Sequence, residues 1–459
     1  MSGPSSVGSI AASTVASTFA SSKATGEPRR VGIVAGGGNL PLEIARSVQG
    51  RGGFVHVVMI EGQAQSTLRS FPHTDASWAE IGKTVKAFKR AGVTDIVLVG
   101  RMVRPRIKTA KPDFGFLRSL PSVYRIFRAG GDDAVLRAVI SMFESRGLKI
   151  RGVGEIAPEL LVGDGNMTDI RPSGSDEIDI AKGLALIAAL GRHDIGQATI
   201  VTGGVIEAIE GAEGTDRMIA RVAERRRSAA GDPVIHSRGV LVKRPKPGQD
   251  LRVDLPAIGP DTVHKAADAR LSGIAAMSGY VLAASRFELI HAAERERIFV
   301  AGVTDDAAPV SVVAAVGAAA RRIEPLVFGG VDPASGLDGD MQRGMRIMGT
   351  LTRFGTGSAL VIRQRRVLSI GTNEPPREVI AQAEAFTKAS KKRSGVAVIG
   401  PREALDEPML EAAAACGLAG VIVMFGHEDR PQHKGAVAAK ADALGLFIAG
   451  AALSDTGSV

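Results

Sequence analysis

Between Gly239 and Gly259 the chain reads GVLVKRPKPGQDLRVDLPAIG, and the loop holds Lys243, Arg244, Lys246, Gln249, Asp250, Arg252 and Asp254. Lysine and arginine there can grip phosphate oxygens, the one as a point charge and the other as a two-pronged fork. Asp250 and Asp254 can ligate a hard cation or activate water. Both signs of charge on a backbone stiffened by Pro245 and Pro247 suit a site that holds an anion and a metal together. The alternative is a solvated loop whose charges pair with one another. A second group, Glu213, Thr215 and Asp216 in GAEGTDRM, sits just ahead of a helix. Such residues cap helices, and the same position binds phosphate. Gly36, Gly37 and Gly38 follow the first strand. They either admit a ligand to the backbone or only shape a turn, since their spacing is not G-x-G-x-x-G.

Elements of definite type must position these residues. Val240, Leu241 and Val242 form a short apolar strand, and Pro245, Pro247 and Gly248 end it. A helix begins near Pro260. The loop therefore lies at the carboxyl end of a strand, where ligands gather in open α/β sheets. Upstream, Val31 to Val34 read as a strand and Pro41 opens a helix with Ile44, Ala45 and Val48 on its apolar face. Strands at Val55 to Ile60 and Ile96 to Val99 flank a helix at 81–92. That order predicts a parallel, doubly wound, Rossmann-like domain over 29–125, with a linker inside 101–130. An α/β catalytic domain follows over 126–302. Its elements are a helix at 132–146, a strand at 149–153, a helix at 176–190 and a strand at 197–201. Beyond the loop come a helix around 260–270, a strand at 273–277, a helix at 286–295 and a strand at 298–301. The fold class is α/β throughout.

Composition narrows the partners. With 459 residues the chain suits two or three domains. Residues 1–28, rich in Ser, Ala, Thr and Gly, read as a disordered tail. A net charge of +9 fits nucleic acid, an anionic membrane or phosphorylated substrates. Aromatics make up only 4% and do not interleave with the basic residues, which disfavours a single-strand binder. No apolar run approaches the roughly 18–20 residues that cross a bilayer. Cys416 is the one cysteine, so no internal disulfide forms, and its Ala-rich helical surroundings mark it as a core residue.

The last third echoes the middle third. Residues 181–209 align without gaps on 342–370, matching Gly183 with Gly344, Gly196 with Gly357 and Ala198 with Ala359. Gly239 to Val242 then matches Gly395 to Val398, Leu271 to Ile274 matches Leu418 to Val421, and Phe299 to Gly302 matches Phe447 to Gly450. This predicts a degenerate second copy of the catalytic domain over 303–459. Lys243 becomes Ile399 there, and the run 247–254 shrinks to a segment around Glu403 to Asp406. The scaffold survives without the charges, so the charges serve chemistry. His427, Asp429 and His433 near its end read as loop polarity rather than a metal site.

Six motifs together resemble the UDP-2,3-diacylglucosamine diphosphatases of lipid A synthesis, the LpxI type. They are GIVAGGGNLPL at 32–42, GDDAVLRAVI at 131–140, GEIAPELL at 154–161, GQA at 196–198, EGTD at 213–216 and VKRPKPGQDLRVDLPAIGPDTV at 242–263. The family pattern ends near Gly302, so the third domain and the tail stand outside it. The resemblance implies Mg²⁺-dependent hydrolysis of UDP-2,3-diacylglucosamine to lipid X and UMP, with one essential aspartate. Asp250 and Asp254 both match that motif. On this reading they and Lys243 are catalytic, and the two aspartates hold Mg²⁺. Lys246, Arg252 and Gln249 bind the diphosphate, and Glu213, Thr215 and Asp216 complete the wall. Gly36, Gly37 and Gly38 are further binding candidates. Phe114, Phe116, Leu117, Leu120, Val123 and Tyr124 either cover acyl chains or pack between domains. The expected partner is a lipid-linked sugar nucleotide and not nucleic acid. The protein is expected in the cytoplasm, in peripheral contact with the inner membrane and homo-oligomeric. A non-catalytic lipid-phosphate carrier or sensor is the rival reading, and it predicts bound lipid without turnover. A nicotinamide-dependent enzyme is disfavoured by the glycine spacing.

Overall fold

A computed structural model describes residues 29–101, 139–228, 238–247, 249–305, 326–328, 330–387, 393–426 and 435–453. The expected tail, the six apolar residues at 114–124 and the His427, Asp429 and His433 group lie outside these. The chain forms two compact units, one of residues up to Leu160 with Asp250–Asp254, the other of Leu161–Gln249 with Leu255 onward.

The first unit is built on a five-stranded sheet. Its strands are β1 (Arg30–Ala35), β2 (Phe54–Ile60), β3 (His73–Ala76), β4 (Asp95–Val99) and β5 (Lys149–Ile150), in the order β3-β2-β1-β4-β5. Every pairing is parallel. The helix Leu40–Gly50 buries Pro41, Ile44, Ala45 and Val48, the face that the spacing predicts. Two features depart from the sequence expectation. The short strand β3 is polar enough, as His-Thr-Asp-Ala, to escape a hydrophobic pattern. The strand expected at 149–153 in the catalytic domain is instead the edge of this sheet, pairing Asp95 with Lys149 and Ile96 with Ile150. The first unit thus runs to Leu160, past the boundary expected at 125, because periodicity reveals a strand but not its partner.

The second unit holds two sheets of six strands. One contains β6 (Gly165–Asn166), β7 (Ala198–Thr202), β8 (Val205–Ile209), β9 (Val240–Lys243), β11 (Gly273–Met277) and β13 (Phe299–Val303), ordered β6-β13-β11-β9-β7-β8. Beside it, β10 (Ala257–Ile258) and β12 (Leu282–Ala283) pair in parallel. The other sheet contains β14 (Leu326–Val327), β15 (Ala359–Arg363), β16 (Arg366–Ile370), β17 (Val396–Ile399), β18 (Gly420–Phe425) and β19 (Phe447–Ala452), ordered β14-β19-β18-β17-β15-β16.

The two sheets correspond position by position at the offsets of the sequence alignment. Ala198 pairs with Lys243 as Ala359 pairs with Ile399. A register shift falls between Ile200 and Val201 in one and between Val361 and Ile362 in the other. Asp179 accepts from the amides of Gly203 (2.9 Å) and Gly204 (2.6 Å), and Asp340 accepts from those of Gln364 (2.9 Å) and Arg365 (2.5 Å). A Cβ on Gly183 would lie 2.7 Å from Val242, and one on Gly344 2.6 Å from Val398. Small residues there let each helix approach its own sheet. Cys416 is buried, as expected, and burial pushes its thiol up to about 11.

The helices Gly174–Gly191 and Asp338–Arg353 share one apolar core, in which Leu186, Leu190 and Ile206 meet Met345, Met348 and Leu351. At its margin, Arg343 donates to the carbonyl of His193, and the His193 ring lies 3.4 Å from Thr350 Oγ1. Burial first, then the charges of Arg343, Arg346 and Arg192, push the His193 ring from 6.5 down to about 4. An unfolded chain binds that proton near 6.5 and the folded chain only near 4, so the unfolded state holds more protons between them. Stability is therefore present above pH 6.5 and falls as pH drops through that window. Unfolding midpoints measured from pH 7 to 4.5 should fall more steeply in the wild type than in His193→Gln, and equal slopes would contradict this.

Candidate active site

The polar centre of the second unit lies at the end of β9. Lys243 closes that strand in the middle of the sheet and is only 6% exposed. Its ammonium donates to Thr215 Oγ1 at 3.0 Å and to the carbonyl of Ala257 at 2.9 Å. Thr215 begins the helix Thr215–Ser228, and its hydroxyl donates onward to Glu210 Oε1 at 2.9 Å. The other oxygen of Glu210 accepts the Gln197 amide at 2.9 Å. Glu210 directly follows β8 and is itself buried. The result is a buried chain, Lys243 to Thr215 to Glu210, in which every heteroatom has a partner and the threonine has one bonding direction. Two of the three ammonium protons have acceptors among the described residues, which leaves one to meet an anion.

Burial lowers the Lys243 pKa, and the charges of Glu210 and Asp216 pull it back up. A buried cation with its counter-charge one hydroxyl away is fixed in direction and weakly screened. That is what stabilises charge developing on a phosphoryl oxygen. Asp216 pairs with Lys265 at 2.6 Å, and Glu213 with Arg221 at 3.0 Å. Of the three expected wall residues, Thr215 alone touches Lys243.

The focal loop divides. Arg244 makes a forked pair with Asp305, at 2.6 and 3.3 Å. Lys246 Nζ meets Asp194 at 2.9 Å, while its amide donates to Gln249 Oε1 at 3.0 Å. Asp250, Arg252 and Asp254 belong to the first unit. There Arg252 donates Nε to Asp250 Oδ1 (2.9 Å), Nη2 to Oδ2 (2.7 Å) and Nη1 to Glu144 (3.1 Å). The bond to Asp250 raises the Arg252 pKa. Val253 packs against the first unit's core of Phe88, Ile96 and Ile150. Much of the loop is thus cross-paired, the blander of the two readings its sequence allowed, while Lys243 is buried and bonded to Thr215 and Ala257.

Gly36 and Gly37 lie at a close crossing in the first unit. Their amides donate to the carbonyls of Val99 (2.8 Å) and Arg101 (2.9 Å). A Cβ on Gly36 would sit 2.7 Å from the Arg101 oxygen, so backbone packing requires that glycine. Gly38 has φ of +92° with nothing within 4 Å of a Cβ, so its freedom serves the turn.

Sequence reasoning missed Glu210. Its signal was an acid placed directly after an apolar strand, where the other sheet has Gly371 with the same backbone bond: Glu210 donates to Ala198 and Gly371 to Ala359. Where one sheet has Glu210, Thr215 and Lys243, the other has Gly371, Pro376 at a helix start, and Ile399. A cavity of about 530 Å³ lies elsewhere, lined by Ile178, Lys182, Arg353 and Phe354 among others, and none of the candidate residues borders it.

Residues 30–160 match the family described as the LpxI N-terminal domain, and residues 163–301 match the LpxI C-terminal domain. The UDP-2,3-diacylglucosamine pyrophosphatase LpxI of Caulobacter vibrioides is 37% identical over 281 residues, 61% of this chain and 100% of that protein. A murein peptide ligase Mpl from Psychrobacter arcticus covers 93% of this chain and 91% of its own at 11% identity, with a TM-score of 0.19, too loose to bear on the fold.

Proposed function

The chain belongs to the LpxI family, and on that premise we propose that it hydrolyses the diphosphate of UDP-2,3-diacylglucosamine, with Mg²⁺, to lipid X and UMP. The observation that carries this reading is the buried Lys243–Thr215–Glu210 chain at a strand's carboxyl end. The corresponding positions of the other sheet, Ile399, Pro376 and Gly371, are emptied of charge. We read residues 303–459 accordingly as a second copy that kept the scaffold and lost the reaction.

Diphosphate cleavage piles negative charge on phosphoryl oxygens, so catalysis is chiefly positioning and electrostatics. Lys243 binds one such oxygen through its remaining proton. Thr215 holds the ammonium in direction, and Glu210 keeps Thr215 from turning.

Mg²⁺ is typically held by one or two carboxylates plus substrate phosphates. Asp250 and Asp254, which follow Lys243 in the same loop, supply that number. No group of three or more His, Cys, Asp or Glu able to hold a metal gathers among the described residues. Once bound, Mg²⁺ would neutralise charge growing on the diphosphate. Arg252, which now occupies both oxygens of Asp250, is the residue that must exchange partners when an anion arrives.

Among the described residues no helix is long and apolar enough to cross a membrane. A lipid substrate then requires a peripheral approach to the bilayer, which we propose on the cytoplasmic side. Purified protein given UDP-2,3-diacylglucosamine should release UMP with Mg²⁺ and not with EDTA. Bound lipid without UMP would favour the carrier reading instead.

A further inference from the structure

Glu374 belongs to the sheet that lost its charges, yet it is 4% exposed and fully engaged. One oxygen accepts from Arg221 and, at 2.8 Å, from Arg225. The other accepts the Thr372 amide (2.7 Å), the Thr372 hydroxyl (3.0 Å) and the Asn373 amide (3.2 Å). Burial works to raise its pKa, but Arg221 and Arg225 outweigh it and hold the carboxyl below its usual range. Both arginines lie on the helix Thr215–Ser228, whose first residue holds Lys243.

The contact does more than pin a helix. Arg221 gives one nitrogen to Glu374 and another, at 3.0 Å, to Glu213. The 161-residue offset that aligns 181 with 342 also aligns Glu213 with Glu374. Arg221 therefore lies between corresponding glutamates of the two copies. The third domain adds two backbone anchors, Thr372 Oγ1 to the carbonyl of Glu207 (2.8 Å) and Asn373 Nδ2 to that of Ile206 (3.3 Å). These fix the strand that leads to Glu210. The strand before the turn from Glu210 to Thr215 and the helix after it are thus both held to the third domain. A surface ion pair would add little, whereas this carboxylate is buried and bonded on both oxygens.

We propose that Glu374 is a positioning residue for the diphosphatase site, so that the third domain completes in cis the site carried by the second. The inference rests on the reading of Lys243 and Thr215 given above. Without the charge on Glu374, Arg221 and Arg225 lose their shared anchor, and Glu213 and Thr215 lose their register against Lys243.

The test uses the full-length chain, Mg²⁺ and UDP-2,3-diacylglucosamine, with UMP release as readout and near-ultraviolet circular dichroism to fix the folded fraction. Glu374→Gln keeps an oxygen for Thr372 and Asn373 and turns an amide NH2 toward Arg221 and Arg225, removing both the charge and the acceptor they share. Its KM should rise at least fivefold. A merely structural role would lower the active fraction and leave KM alone. Arg225→Gln, at a half-buried position that tolerates change, should raise KM in the same direction and decides the matter if Glu374→Gln does not fold. An unchanged KM in a folded variant overturns the proposal. Thr215→Val separates the two readings. If it impairs turnover while Glu374→Gln does not, only the role of Glu374 fails. If Thr215→Val is fully active, the site itself has been misassigned.

Discussion

Lys243→Met should lower kcat for UMP release by about a thousandfold, the scale of removing a preorganised electrostatic donor. The substitution keeps the length and apolar body of the side chain in a position that is 6% exposed. Glu210 retains the Thr215 hydroxyl and the Gln197 amide, so no buried carboxylate is stranded. The carbonyl of Ala257 loses a donor, for which the expected destabilisation is about 1–3 kcal/mol. Circular dichroism should therefore report a folded protein. Lys243→Arg should not restore activity, because a planar guanidinium cannot take the place of a compact ammonium aimed by one hydroxyl and one carbonyl. Burial lowers the Lys243 pKa, so wild-type activity should decline on the alkaline side earlier than an exposed lysine would allow. Near-normal turnover in Lys243→Met would remove the observation on which the function rests.

The parts of this arrangement that sequence made legible are those with one-dimensional signals. Val240 to Val242 is an apolar run between punctuating residues, and β9 is found there. The alignment of the middle and last thirds also falls on glycines at which a Cβ would collide: Gly273 against Phe299 at 2.3 Å and Gly420 against Phe447 at 2.3 Å. Side-chain direction has no such signal. Nothing in the string separates Lys243, buried and aimed, from Lys246, paired with Asp194 at 2.9 Å. Nor does it say that Asp250 faces Arg252 two residues on. Nothing in the string marks Glu210 or Glu374 either, because their burial comes from elements distant in sequence. Density of charge singled out the loop, and only the backbone around it separates the buried cation from the pairs.

Asp250→Ala and Asp254→Ala divide the metal question from the pairing question. Loss of the proposed Mg²⁺ donor should cost roughly a hundredfold or more in UMP release, on the scale of charge stabilisation by a bound metal. Asp250 also anchors Arg252, so a loss of activity by itself does not say which role was removed. The Mg²⁺ dependence does. If Asp250 ligates the ion, Asp250→Ala needs a higher Mg²⁺ concentration for half-maximal rate, while Arg252→Ala loses activity at the wild-type requirement. If Asp250 only orients the guanidinium, the two variants lose equally, and the double variant is no worse than either, as coupled neighbours behave. The amide of Asp254 donates at 3.1 Å to the carbonyl of Asp250, which sets the two aspartates one helical turn apart. On the proposed reading both carboxylates would hold the same ion. Full activity in both alanine variants, with an unaltered Mg²⁺ requirement, would take the metal away from this loop and leave Lys243 as its single chemical group.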